Sequence, residues 1–165
     1  QFPHVEIAVT KDRKPIDPLT GQSLDAGCLS DSAKAAPLFS KQDAALLGKG
    51  EAQMLGIGIA GDKVEYSSLV ENGPPTAATA ASPFHVGWAW VINLHQGDRV
   101  QVKLIGPDGA VIADQTTEPM NAPKATYSAF AGKRGAPPSG DYQVYAAVIR
   151  DGKPVLEKTE KIAVQ

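Results

Sequence analysis

The sequence predicts a mainly β protein: an antiparallel immunoglobulin-like or fibronectin-like β-sandwich, preceded by an N-terminal β-hairpin and a short helical connector. Residues from about 51 to the end divide into six or seven short apolar or alternating segments at roughly even spacing, which is typical of a sandwich. Turn-forming residues separate these segments. Alternating helix and strand units and a glycine-rich phosphate loop are absent, which argues against a nucleotide-binding α/β fold.

The first segment, residues 1–20, contains a strand and a turn. Side chains two apart on a strand share a face, so one face of the strand is apolar and the other mixed. Val5, Ile7 and Val9 fall on the apolar face, and His4, Glu6 and Ala8 on the other. Residues 12–14 are expected to form the turn that follows.

Residues 21–50 form the predicted connector, which is rich in turn-forming residues. A short helix is expected over residues 41–48, because Ser40 is a good N-cap and Gly48 closes the segment. The sandwich domain is expected over residues 51–165.

Seven segments of the sandwich domain have strand character, and two of the turns between them are well defined. Residues 106–109 read Gly-Pro-Asp-Gly, and Asp151-Gly152 is the strongest short hairpin signal in the chain. Residues 64–71 could form either a short strand or a single turn of helix. The expected strands are 54–60, 84–94, 99–105, 110–116, 126–133, 141–150 and 153–164.

Composition and charge limit the kinds of partner. The chain has 165 residues, is 42% hydrophobic and 21% charged, and carries a net charge of −2 without a basic stripe, so no nucleic-acid partner is expected. No apolar run is long enough to cross a bilayer, so no membrane span is expected. The chain starts at Gln1 with no signal-peptide pattern, which leads us to expect a removed leader or a fragment of a longer chain.

Cys28 is the only cysteine and lies in a loop-like setting without a basic neighbour that would mark a reactive thiolate. Three interpretations stay open: a small buried hydrophobe, a disulfide bridge to a cysteine upstream of this chain, and, least favoured, a nucleophile. The disulfide would suit an exported protein.

Two aromatic pairs lie on predicted strands of the sandwich, and only the tryptophans suggest a binding role. Trp88 and Trp90 share one face of their predicted strand, where they could form a platform for sugar or part of the core. Tyr142 and Tyr145 point to opposite faces of another strand, so at least one of them is expected to be exposed.

The histidines of the sandwich are not expected to bind metal together. His85 and His95 are ten residues apart on one predicted strand, which separates them by about 33 Å at about 3.3 Å per residue. Asp98 is near His95 in sequence, but is expected to belong to a turn.

The first eighteen residues, which end in Ile16-Asp17-Pro18, resemble the closing segment of lysostaphin-type zinc metallopeptidases, the cell-wall endopeptidases. In that family a His-x-His motif opens this segment; its first His orients the reacting water and carbonyl, and its second binds zinc. The resemblance assigns the first role to His4 and places Glu6 at the metal-ligand position.

The resemblance also implies a catalytic domain upstream of this chain. The family's other zinc ligands come from an upstream His and a His-x-x-x-Asp motif, and no His in this chain is followed four residues later by Asp. One candidate ligand cannot hold zinc firmly, since catalytic zinc sites use three protein ligands. We therefore expect no cofactor and no peptidase activity in this chain alone, with zinc bound only in a longer parent.

The resulting expectation is the C-terminal fragment of a cell-envelope peptidase-family protein, either a peptidoglycan endopeptidase or a non-catalytic relative. Its sandwich would act as an accessory or interaction domain in a periplasmic or extracellular location. The expected partners are the missing upstream catalytic domain and peptidoglycan or another envelope protein. The alternative is a free-standing β-sandwich adhesion or protein-interaction module with no enzymatic role, and whether the parent is an enzyme stays open.

Overall fold

The computed structural model describes residues 8–26, 37–48 and 50–165. The chain divides into two compact units, Gln1–Gly50 and Glu51–Gln165. His4, Glu6 and Cys28 lie outside the described residues, so what the sequence predicts for them stays a prediction.

The first unit contains a β-hairpin formed by strands β1 (Val9–Lys11) and β2 (Lys14–Ile16). Asp12 and Arg13 make the turn with φ angles of 52° and 63°, the left-handed pair that a two-residue type I′ turn requires. Sequence patterning extended this turn to residue 14, which instead begins β2.

A short helix, α1 (Lys41–Gly48), follows in the same unit. The Ser40 hydroxyl accepts a hydrogen bond from the Asp43 N–H at 3.1 Å and donates one to the Asp43 carboxylate at 2.7 Å. The predicted helix and its N-cap are therefore present.

The second unit is a sandwich of seven antiparallel strands in two sheets. A three-stranded sheet has the order β3-β4-β7, and a four-stranded sheet has the order β6-β5-β8-β9, which is a fibronectin-like arrangement. The strands are β3 (Gln53–Ala60), β4 (Phe84–Leu94), β5 (Arg99–Ile105), β6 (Val111–Thr116), β7 (Lys124–Arg134), β8 (Gly140–Arg150) and β9 (Lys153–Val164).

The turns between strands follow the local sequence. Gly109 has a φ of 80° and donates its N–H to the Gly106 carbonyl at 3.0 Å, which closes the turn between β5 and β6. Asp151 and Gly152, with φ angles of 51° and 75°, form the type I′ turn between β8 and β9. Both predicted turns are confirmed.

The segment for which the sequence left a short strand or a turn of helix open, residues 64–71, is helical: α2 runs over Tyr66–Asn72. Gly73 ends it with a φ of 82° and donates its N–H to the Leu69 carbonyl. Among the described residues, no helix is long and apolar enough to span a membrane.

The core lies between the two sheets and consists of alternate side chains from their inner faces. Burial of each such valine or leucine stabilises the fold by about 1.5–3 kcal/mol relative to exposure. Its fully buried members include Val91, Val100, Val102, Leu104, Tyr142, Val144 and Val148.

Candidate interaction surface

Trp88 lies on the outer face of the three-stranded sheet, in a second cluster with Ala60 and with Leu69 of α2. It is only 4% exposed. Two glycines of β3 leave room for its ring: a Cβ at Gly56 or Gly58 would come within 2.9 or 3.0 Å of the indole. Trp88 therefore belongs to the hydrophobic interior, as its predicted strand position allowed.

Trp90 packs against the same cluster and is half-buried. Its indole nitrogen donates a hydrogen bond to the Thr126 hydroxyl at 2.8 Å. Stacking on a sugar needs an uncovered ring face. Because Trp88 is covered, the two indoles do not form a joint sugar platform.

Phe130 is the exposed aromatic residue of this sheet face. It pairs with Trp88 in the β4–β7 register and is 54% exposed. Four register positions further along, Phe84 pairs with Arg134, whose guanidinium carbon lies 5.4 Å from the Phe84 ring centroid. This distance allows a cation–π contact.

Phe130 and Phe84 line a cleft of about 330 Å³ together with Val64. Three cations, Lys63, Lys133 and Arg134, and one anion, Glu65, also line it. Within the described part of the chain, none of these charged side chains is in an ion pair. The cleft therefore combines an apolar floor with a rim of net positive charge.

Strand β7 is the outermost strand of its sheet, and its far edge pairs with no strand of the described chain. A second cleft, of about 400 Å³, runs along this edge between residues 127–132 of β7 and residues of β6. An unpaired strand edge presents backbone N–H and C=O groups that another chain can pair with. We define the β7 surface as this free edge together with Phe130, Lys133 and Arg134.

Tyr142 and Tyr145 lie on opposite faces of β8, as expected, and Tyr145 is the partly exposed one. Tyr142 is fully buried and donates its hydroxyl to the Pro138 carbonyl at 2.9 Å; burial and the nearby Asp108 charge raise its pKa. Tyr145 is half-buried and donates to the Glu157 carboxylate at 2.5 Å, which, with burial and nearby carboxylate charge, raises its pKa to about 12.

The His85 side chain has a structural contact, and His95 contributes its backbone to a turn. His85 is 3% exposed, and its Nδ1 donates a hydrogen bond to the Gly135 carbonyl at 2.8 Å. At the other end of the strand, the backbone N–H of His95 donates to the Asp98 carboxylate at 2.8 Å, which places Asp98 in the predicted turn. Among the described residues, no group of three or more His, Cys, Asp or Glu side chains is placed to hold a metal ion.

Sequence patterning did not identify Phe130 or Arg134 as surface residues of interest. Phe130 falls in the predicted strand 126–133, but the position of that strand at a sheet edge follows from pairing with a strand about forty residues earlier. Arg134 lies one residue beyond the predicted strand and is the last residue of β7. A phenylalanine among small residues in Tyr127-Ser-Ala-Phe130-Ala-Gly132 was the available signal.

Comparison with protein-family models and with curated proteins finds no match. Among solved structures, the chain is similar to a β-glucuronidase of Parabacteroides merdae, with a TM-score of 0.45 and 10% identity over 69% of this chain and 14% of the enzyme. It is also similar to the β-glucuronidase of Bifidobacterium dentium complexed with coumarin-3-O-glucuronide, with a TM-score of 0.41 and 14% identity over 69% of this chain and 18% of the enzyme. The chain thus spans less than a fifth of the length of either enzyme.

Proposed function

We propose that residues 51–165 form a non-catalytic interaction domain that holds a protein partner through the β7 surface. The observation that carries this proposal is Phe130, a large apolar side chain that is 54% exposed on an unpaired strand edge beside a cleft with a cationic rim. Aromatic and arginine side chains are enriched at protein interfaces. Phe130 is not isolated but lines one cleft with Phe84 and Val64, and contiguous apolar surface with a polar rim is a common mark of interaction sites.

A protein partner fits this surface better than a glycan. Trp88 is only 4% exposed, and Trp90 is half-buried and bonded to Thr126, so the two rings do not form an exposed platform for a sugar. The free edge of β7 instead offers backbone hydrogen bonds, which suit an extended polypeptide.

We further propose that the parent is a cell-envelope protein of the lysostaphin-type peptidase family, located in the periplasm or outside the cell. The support is the resemblance of the first eighteen residues, in which His4 would act in a complete parent and Glu6 stands at the zinc-ligand position. The partner would then be the upstream catalytic domain or another envelope protein. Zinc binding and peptidoglycan cleavage would be properties of the longer parent and not of this chain. A free-standing interaction module is the alternative, favoured by the sandwich forming a compact unit with its own core.

Hydrolysis and metal content test the non-catalytic part of the proposal. The 165-residue chain, incubated with zinc and purified peptidoglycan, is expected to release no peptide fragments and to retain no stoichiometric zinc after dialysis. Zinc-dependent release of fragments would contradict it. The encoded sequence upstream of Gln1 tests the parent: a His-x-x-x-Asp motif within the preceding domain supports the family, and its absence favours the free-standing module.

Retention on envelope material tests the partner class. Wild-type chain, Phe130→Ala and the matched control Val155→Ala are each incubated with envelope protein extract and, separately, with protein-free peptidoglycan. Val155 is 51% exposed on another edge strand, so it controls for loss of exposed apolar area. We expect retention on the protein fraction that only Phe130→Ala weakens. Phe130-dependent retention on protein-free peptidoglycan would contradict a protein partner.

A further inference from the structure

We infer that the partner binds by donating an extended acidic segment as an additional strand on the free edge of β7. This inference rests on the proposed function for the existence of a protein partner, and adds the mode of binding and the chemistry of the segment. Strand addition at a sheet edge is a common way to bind an extended peptide.

Strand β7 has the features of an edge open to pairing. It is 11 residues long, and its register with β4 runs from Phe84↔Arg134 to Leu94↔Lys124 without a shift. It contains no proline, and residues 125–132 carry no charge. Natural proteins usually blunt sheet edges with short strands, bulges, prolines or charges, and the centre of β7 has none of these.

The other sheet edges carry such protection. Strand β9 contains Pro154, and its Lys158 and Glu160 form an ion pair at 2.8 Å. These two side chains are on the face of β9 that looks toward the core, because their cross-strand partners Ala146 and Val144 are core residues. Inward-pointing charges of this kind discourage a further strand.

The two remaining edges are irregular. Strand β6 is only six residues long, and its pairing with β5 shifts between Leu104 and Ile105. Strand β3 has a shift between Met54 and Gly56. Strand β7 is thus the edge with the longest regular row of unpaired groups.

The charges of β7 favour an acidic segment. The strand contains Lys124, Lys133 and Arg134 and no carboxylate. None of these cations is in an ion pair within the described part of the chain. In an antiparallel pairing with a second copy, Lys124 would lie near Lys133 and Arg134 of the other strand, and like charges across strands are destabilising.

The added strand also meets apolar surface. It would lie about 4.8 Å from β7, along the cleft between β7 and β6. Phe130 points to the outer face, where an apolar side chain of the new strand would cover its exposed area. The cations of β7 are at its two ends, Lys124 at one and Lys133 and Arg134 at the other. The expected segment therefore has an apolar centre that covers Phe130 and acidic residues toward both ends.

A designed peptide tests the mode of binding. The probe is a fluorescein-labelled peptide of about ten residues, here called the Glu-Val peptide, with Val in its centre and Glu at both ends to match the length and the charges of β7. One control is a Lys-Val peptide of equal length, in which Lys replaces each Glu. Two further controls are Glu-Val peptides with N-methyl groups on alternate amides, so that each blocks hydrogen bonding along one edge of the peptide. Anisotropy titrations use the full chain.

The inference predicts saturable binding of the Glu-Val peptide, with the Lys-Val peptide at least about tenfold weaker. One N-methyl set should abolish binding and the other should leave it nearly unchanged, because only one edge of the peptide faces β7. Phe130→Ala should weaken binding about tenfold, because it removes the apolar contact without changing the charge, whereas Val155→Ala on β9 should not. Circular dichroism melts confirm that both variants fold.

Several outcomes would overturn the inference. These are no binding of the Glu-Val peptide, equal binding of the Lys-Val peptide, or equal tolerance of the two N-methyl sets. Sedimentation equilibrium showing a dimer that Phe130→Ala abolishes would assign the edge to a second copy instead. If Phe130 is needed for retention of an envelope protein but the peptide does not bind, strand addition fails while the proposed function stands.

Discussion

Asp98 and Arg150 form a bidentate ion pair that joins the turn after β4 to the end of β8. The Arg150 Nε and Nη2 atoms each lie 2.8 Å from one carboxylate oxygen of Asp98. Asp98 has no exposed surface, whereas the Arg150 side chain is 30% exposed. One Asp98 oxygen also accepts the His95 N–H, so the carboxylate fixes both the turn and the neighbouring strand.

Replacing Asp98 with Asn should destabilise the sandwich by about 2 kcal/mol, because it removes hydrogen bonds to a charged group and leaves Arg150 without its counterion. Urea denaturation of wild type and variant measures the loss. Asp114→Asn is the matched control: Asp114 pairs with Lys103 at 3.0 Å on the surface, and its loss should cost less than about 1 kcal/mol. Equal losses in the two variants would contradict a special role for Asp98.

The same pair predicts how stability depends on acid. The hydrogen bonds from Arg150 hold the pKa of Asp98 below its ordinary value, against the opposing effect of burial. A carboxylate with a lowered folded pKa contributes its full stability above its unfolded pKa of about 3.9 and loses it as pH falls through the folded value. As the pH is lowered from neutral to acid, the urea concentration at the midpoint of unfolding should therefore fall less steeply in Asp98→Asn than in wild type. Parallel curves would show that Asp98 does not titrate with folding.

The fit of Trp88 against β3 predicts the effect of a single methyl group. Gly58→Ala should cost about 1–3 kcal/mol, because its Cβ would lie 3.0 Å from the indole nitrogen in a packed site. Gly87→Ala is the control, since its Cβ would have 3.4 Å to its nearest neighbours. Thermal melts of the two variants compare them. A larger loss in Gly87→Ala would contradict the packing described for Trp88.

Tyr145 should lose its phenolic proton at a higher pH than an ordinary tyrosine. Its hydrogen bond to Glu157 raises its pKa to about 12, above the ordinary value of about 10. This neutral phenol contributes stability below the unfolded pKa, and the contribution is lost as pH rises through the folded value. Ultraviolet titration of the phenolate should show one tyrosine moving toward its ordinary pKa in Glu157→Gln. An unchanged titration curve would place the cause elsewhere.

The strands of the sandwich were largely predictable from sequence, because alternation in residues 99–105 and the turn residues at 106–109 and 151–152 act locally. Residues 64–71 were ambiguous, since a seven-residue helix gives too short a pattern to separate from a strand. Tertiary packing favours the helix, because Leu69 packs on Trp88, which is almost twenty residues away in sequence.

The candidate surface was less predictable for the same reason. Aromatic patterning drew attention to Trp88 and Trp90, yet the exposed aromatic residue of β4 and β7 is Phe130, because α2 and the glycines of β3 cover Trp88. The Asp98–Arg150 pair joins residues 52 positions apart, so no local pattern indicates it. Edge position and ion pairing depend on strand order, which local sequence does not specify.

Amide hydrogen exchange of the full chain, with and without the Glu-Val peptide, tests most directly whether the β7 surface is the binding site. We predict that the peptide slows exchange at alternate amides of β7, those that point away from β4, and leaves the amides of β9 unchanged. Unchanged exchange along β7, or slowing at β9 or β3 instead, would contradict the account.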